Sequence, residues 1–268
     1  MLNRLFALVF LSTWILGACS SSDKEKKETI TTNQTPRIAY SVQRSFPHDT
    51  KSFTQGFTIH KGKLYESTGQ NNSWIGIVNI TTGEAEKKIT LPSTYFGEGI
   101  TILNNKIYQL TWQSKLGFVY DLNTFEKIRD FNYATEGWGI THNNEHLIMS
   151  DGSDKLYFLD TVNLSLVKSL PVTYEGKVLN QLNELEYIDG FVFANVWQTS
   201  SIVKIDISNG KVVGLMDLSD LVSQASMVNP SMDVLNGIAW HAGTKSMLVT
   251  GKYWPFIYSL KFKETENL

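Results

Sequence analysis

Apolar and polar residues alternate along most of this chain with a period of two, in short runs rich in Ile, Val, Tyr and Phe. Asn, Asp and Gly separate the runs, as in Thr82-Gly83, Asp189-Gly190 and Asn209-Gly210. Such a pattern predicts half-buried strands joined by tight turns. The order is plainest between residues 99 and 131, with strands at 99–103, 107–111, 117–121 and 126–131. Turns fall at Asn104-Asn105 and 122–124, with a polar loop at 113–115. A short segment at 218–225 is the one place with a helical period.

This four-strand unit recurs. The phrase Tyr95-Phe96-Gly97-Glu98-Gly99-Ile100 returns as Phe53-Thr54-Gln55-Gly56-Phe57, Glu136-Gly137-Trp138-Gly139-Ile140, Leu182-Asn183-Glu184-Leu185-Glu186 and Leu235-Asn236-Gly237-Ile238-Ala239. With Gly56, Gly99, Gly139, Leu185 and Gly237 taken as equivalent, the repeats lie roughly 43, 40, 46 and 52 residues apart, the period of one propeller blade. The fifth repeat ends one strand short after the runs at 246–250 and 256–262, while the run at 38–46 precedes the first repeat without a partner. Placing that run as the outer strand of the last blade closes the ring and hides both edges. The expected fold is therefore an all-β, five-bladed β-propeller over residues 37–268. An open sandwich explains neither the period nor the orphan strand.

The first 36 residues read differently. Asn3-Arg4 precedes an apolar run at 5–15 that is too short to span a bilayer, and Leu16-Gly17-Ala18-Cys19 follows. This reads as a lipoprotein signal peptide over residues 1–19, its last four residues resembling a bacterial lipobox with Cys19 as the lipidation site. An ordinary secretory signal would place the cysteine there only by coincidence. The expected location is the bacterial cell envelope, with the exported chain held at the membrane by the lipid. Cys19 is the single cysteine, which leaves the remainder without a disulfide, a thiol nucleophile or a thiolate metal site. Residues 20–36 are Ser, Thr, Lys, Glu and Asn with little to bury, the composition of a flexible tether. The net charge of -2 gives no basic surface for a nucleic acid.

In a propeller the innermost strands line a central channel, and the residues just before them rim one mouth. The position before each register residue reads Gln55, Glu98, Trp138, Glu184 and Asn236; the end of each second strand reads Thr68, Trp112, Asp151, Trp197 and Lys252. The two sets should converge. A tryptophan in a propeller commonly wedges between blades, but three at equivalent places beside polar groups suit a ligand pocket. Glu98 lies between two glycines and follows Phe96, a setting apolar enough to raise a carboxyl pKa toward a useful range. Lys252, ahead of Tyr253-Trp254-Pro255, is placed either in solvent or facing an anion or carbonyl. Phosphate loops, Gly-x-Ser-x-Gly elbows and His-Glu-x-x-His motifs are absent. His142 and His146 straddle a predicted hairpin turn, so no metal site is expected.

Eight motifs, taken in order, resemble the plant and bacterial type of glutaminyl-peptide cyclotransferase (glutaminyl cyclase). They are Phe-Thr-Gln-Gly at 53–56, Phe-Gly-Glu-Gly at 96–99, Leu-Thr-Trp at 110–112, Glu-Gly-Trp-Gly at 136–139, Leu-Asn-Glu-Leu-Glu-Tyr at 182–187, Ala-Asn-Val-Trp-Gln-Thr at 194–199, Leu-Asn-Gly-Ile-Ala-Trp at 235–240 and Thr-Gly-Lys-Tyr-Trp-Pro at 250–255. The resemblance covers roughly residues 41–260 and implies a five-bladed propeller enzyme that needs no cofactor. It converts N-terminal glutamine of peptides or proteins to pyroglutamate with loss of ammonia.

By this resemblance Glu98 is the proton shuttle, Asn183 and Lys252 bind or polarise the substrate amide, and Gln55 contacts the substrate. Phe53, Phe96, Trp112, Trp138 and Trp197 form its aromatic pocket. The repeat register instead sets Glu184 in line with Glu98. Asn183 is preferred, because a second carboxylate offers no donor to an oxyanion; Glu184 is left to brace the pocket or to pair with Lys252. A monomer is expected. Two other readings compete: a non-catalytic, lipid-anchored propeller that binds peptides or proteins, and a metal-dependent hydrolase using Glu98, Glu184 and Asp151.

Overall fold

Five sheets, each built on four antiparallel strands, follow one another along the chain, one per sequence repeat. The computed structural model describes residues 34–70 and 72–263; the signal peptide, Cys19 and nearly all of the tether lie outside the described residues. Blade one runs through Thr54–His60, Lys63–Thr68, Trp74–Val78 and Ala85–Thr90 from the channel outward, and blade two through Gly97–Leu103, Lys106–Thr111, Leu116–Asp121 and Lys127–Asn132. Blade three has a short inner strand, Ile140–His142, and blade four begins at Leu182–Ile188. His142 ends one strand and His146 begins the next, with the turn between them as expected.

Blade five holds Leu235–His241, Ser246–Gly251 and Phe256–Phe262, and its outer strand is Tyr40–Pro47 from the other end of the chain. The orphan run thus closes the ring as its pattern predicts. Before it reaches blade five, the chain also bonds to blade four: Ile38 N–H donates to the Leu215 carbonyl and Leu215 N–H to that of Pro36. The sequence pattern gave no sign of a small hairpin, Thr173–Tyr174 with Lys177–Val178, which adds to the outer edge of blade four. The predicted helix is Ser219–Val228.

Burial runs in one direction. Innermost strands are buried almost throughout, whereas outer strands such as Ala85–Thr90 and Lys127–Asn132 carry exposed lysines and acids that discourage edge-to-edge pairing. The apolar core is divided among the blade interfaces. Ile100, Ile107 and Phe118 of blade two meet Tyr65 and Ile75 of blade one, and Phe57 and Leu64 of blade one meet Ala239, Leu248 and Ile257 of blade five.

Four of the five inner strands share a defect. Register shifts lie between Thr54 and Gly56, Gly97 and Ile100, Leu182 and Leu185, and Leu235 and Ile238. A bulge at this point re-aims the side chain it carries. Here it turns Gln55, Glu98, Asn183 and Asn236 to one end of the channel. Neighbouring inner strands approach so closely that a Cβ on Gly56 would strike the Ile100 amide, and one on Gly139 the Asn183 carbonyl.

Candidate active site

At that end lies a cavity of about 240 Å³. Four polar side chains line it: Gln55, Glu98, Asn183 and Lys252; Gln70 joins them at the rim. Phe53, Phe96, Trp112, Trp138 and Trp197 complete the walls. All nine pocket residues expected from the sequence are therefore together. The rings pack edge to face, Phe53 on Phe96 at 6.0 Å and Trp138 on Trp197 at 5.5 Å, with Phe96 tilted against Trp112 at 5.6 Å. These contacts hold the walls in place before any ligand enters.

Glu98 is 4% exposed. Gln55 Nε2 donates to its Oε1 at 2.9 Å. Burial drives its carboxyl well above the ordinary range and the nearby Glu136 charge adds to this, while Lys252 and the Gln55 hydrogen bond pull the other way. Lys252 is held below its usual value by burial, partly opposed by Glu98 and Asp233, and its Nζ sits 4.6 Å above the Phe53 ring. Asn183 Oδ1 is buried without a partner.

The description "Glutamine cyclotransferase" belongs to the family model that matches residues 10–262. The chain is 38% identical over 228 residues to the glutaminyl-peptide cyclotransferase of Arabidopsis thaliana, covering 83% of this chain and 71% of that one. The chain belongs to the glutamine cyclotransferase family. Its fold matches the crystal structure of Myxococcus xanthus glutaminyl cyclase with a TM-score of 0.81 at 32% identity, over 86% of this chain and 99% of the other.

Within this cyclotransferase fold the site backbone is gripped from the preceding blade. Ser67 Oγ donates to the Glu98 carbonyl at 2.6 Å and itself accepts from Gln109 Nε2. Two blades on, Ser150 Oγ donates to the Asn183 carbonyl at 2.6 Å and accepts the Gly139 N–H. Each serine thus fixes the strand that carries the next polar group.

The bulges also correct the repeat register. Leu182 pairs where Gly97 does, and Leu185 corresponds to Ile100. Glu184 therefore occupies the place of Gly56, Gly99, Gly139 and Gly237, and Asn183 is the residue in line with Glu98. The sequence register was one residue out in the repeat that lacks the glycine.

Glu184 serves elsewhere. Its Oε1 accepts the Phe57 N–H at 3.2 Å and its Oε2 the Ile238 N–H at 2.8 Å, so it ties blade four to blades one and five. It does not pair with Lys252, whose charged neighbours are Glu98 and Asp233. Glu186, two residues deeper, accepts the Trp240 N–H at 2.8 Å; burial lifts its carboxyl to about 8.

Besides Glu184, three of the expected rim positions do not line the cavity: Asn236 donates to the Thr54 carbonyl and to Gln55 Oε1, Thr68 accepts the Trp74 N–H, and Asp151 accepts from Ser153. Among the described residues no three His, Cys, Asp or Glu side chains gather as a metal-holding group. Sequence reasoning missed Gln70, whose φ of 71° places it in the left-handed region, and Tyr253, which packs against Phe53 at 5.1 Å. It also missed Glu136, although that residue opens the Glu-Gly-Trp-Gly motif.

Proposed function

We propose that the pocket cyclises N-terminal glutamine through Glu98 as a proton shuttle. The activity goes with the family: the α-amine attacks its own γ-carboxamide carbon, the C–N bond of the lactam forms, and ammonia leaves. Because both reacting groups sit on one residue, holding the side chain curled is itself a large contribution. The five aromatic rings are shaped for that. Glu98 takes a proton from the attacking amine and returns it to the departing nitrogen, and a carboxyl whose proton affinity is raised by burial suits both halves. Lys252 and the Asn183 amide polarise the carboxamide and stabilise the oxygen of the tetrahedral intermediate. The Asn183 amide, with its buried Oδ1 unpaired, turns to present either end. Gln55 holds Glu98 from one side and meets the substrate from the other.

The observation that carries this reading is a buried carboxylate, hydrogen-bonded to an amide and neighboured by a buried lysine, inside a cavity walled by aromatic rings. Ammonia release from a Gln-initiated dipeptide tests it. Glu98→Gln should lose on the order of 10²–10⁴ in turnover while melting at or above the parent temperature. Full turnover in that variant would end the shuttle assignment.

We further propose that residues 1–19 are a lipoprotein signal, that Cys19 carries the lipid, and that residues 20–36 tether the propeller to a bacterial envelope membrane. A monomer acting on exported peptides or proteins with N-terminal glutamine fits this arrangement. The support is the sequence from Asn3 to Cys19. Incorporation of a labelled fatty acid by the parent and not by Cys19→Ala is the expected outcome; equal labelling would discard the anchor.

A further inference from the structure

The aromatic wall of the pocket consists of two separate arcs. One runs Phe53, Phe96, Trp112, with Tyr253 packed behind Phe53; the other is Trp138 with Trp197. What joins them is a carboxylate. Glu136 Oε2 accepts Trp112 Nε1 at 2.7 Å and Trp138 Nε1 at 3.0 Å, and Gln113 Nε2 approaches Oε1 at 3.4 Å. The backbone fixes the same corner, since Gly137 N–H donates to the Trp112 carbonyl.

We propose that Glu136 is a positioning residue for the cyclisation, one carboxylate oxygen clamping two indoles from neighbouring blades into a single wall for the substrate glutamine. The geometry is demanding: a lone acceptor serving two N–H groups fixes both ring planes together, and a charged acceptor makes each bond stronger than a neutral one would. Trp112 has most need of this, being 37% exposed and free to swing without it. The charge has a second effect. The groups that act electrostatically on Glu98 are Lys252 from blade five and Glu136, with the Tyr133 phenol nearby. Of these charges, Glu136 is the one that favours the protonated form.

This inference rests on Glu98 being the shuttle, and the test separates the two. Parent, Glu136→Ala, Glu136→Gln and Glu98→Gln are compared for kcat and KM across pH with a Gln-initiated dipeptide, alongside near-ultraviolet circular dichroism. Glu136→Ala should raise KM roughly tenfold or more, the scale expected when hydrogen bonds to a charged group are lost, and should weaken the tryptophan dichroism. Glu136→Gln keeps an acceptor oxygen in place. It should hold KM within about threefold yet move the acidic limb of the rate profile to lower pH. An unchanged KM and dichroism in Glu136→Ala would overturn the clamp, and an unmoved limb in Glu136→Gln would overturn the electrostatic part. A raised KM in Glu136→Ala beside full turnover in Glu98→Gln would uphold the clamp and remove the shuttle alone.

Discussion

Asn236 Nδ2 lies 3.2 Å from Gln55 Oε1, and this contact decides which end of the Gln55 amide faces Glu98. Asn236 also donates to the Thr54 carbonyl, so its own amide is pinned. With Oε1 committed to Asn236, Gln55 can only present Nε2 to the carboxylate. That donor favours the ionised form of a group that burial otherwise pushes toward neutrality.

Asn236→Leu should therefore act on a residue it does not touch. Freed from Asn236, the Gln55 amide can turn its oxygen toward Glu98, which accepts a proton more readily beside an acceptor. Ionised Glu98 is the form that receives the amine proton, so the acidic limb of the kcat/KM profile should move to higher pH. The limb is measured with a Gln-initiated dipeptide; a limb that stays in place or moves down would show that Gln55 is not oriented this way.

Asn183 and Glu184 are adjacent yet should fail in opposite ways. Asn183 lines the cavity and its side-chain oxygen supports nothing in the fold, so Asn183→Ala should cost roughly 10²-fold or more in turnover and leave the melting temperature within a few degrees. Glu184 holds two buried backbone N–H groups. Glu184→Ala leaves both unpaired, at roughly 1–3 kcal/mol each, so melting should fall clearly while a cooled sample keeps kcat/KM within about tenfold. Loss of turnover in a fully stable Glu184→Ala would return the catalytic role to the carboxylate.

That pair also marks where sequence reading stops. The blade count, the closing strand and six of the pocket residues, Gln55, Glu98, Trp112, Trp138, Trp197 and Lys252, were legible because they recur at equivalent places of the repeat. Phe53, Phe96 and Asn183 were legible as pocket residues only through the resemblance to glutaminyl cyclases. The exception, Glu184, was misregistered for a physical reason. Blades one, two, three and five use glycine where strands crowd the channel, and blade four uses a glutamate that crosses it. With no glycine to mark the place, Leu185 is taken for it and that repeat slides by one. Thr68 and Asp151 failed differently. They occupy the right strand ends, but each bonds to its own loop, a local competition that spacing alone does not reveal. Glu136 was invisible as a role because its partners are indole N–H groups brought together only by the fold.

The ring closure carries its own pH dependence. His48, just after the outer strand of blade five, is fully enclosed. Its Nδ1 meets the Trp254 carbonyl at 3.0 Å and its Nε2 meets Glu66 Oε1 at 3.2 Å, where the Thr54 hydroxyl also donates. Both ring nitrogens thus face acceptors, an arrangement that suits the imidazolium. Burial is the largest influence and pushes the His48 pKa down, but the charge and hydrogen bond of Glu66, helped by the Trp254 carbonyl and Asp49, outweigh it, and the net direction is up. A raised histidine stabilises the fold fully below its unfolded pKa of about 6.5, and that contribution is lost as pH rises through the folded value. The comparison that isolates it is the parent against a His48→Phe, Glu66→Leu double variant, which removes the imidazole and its carboxylate partner while sharing every other buried carboxyl. Replacing a buried pair by apolar groups leaves the sign of the offset open to packing, so the slope is the test. The stability of the parent relative to the double variant, followed by denaturant unfolding, should decline from pH 6 to alkaline pH. A difference that is flat or grows over that range would mean that His48 is neutral at the seam and that Glu66 alone holds it.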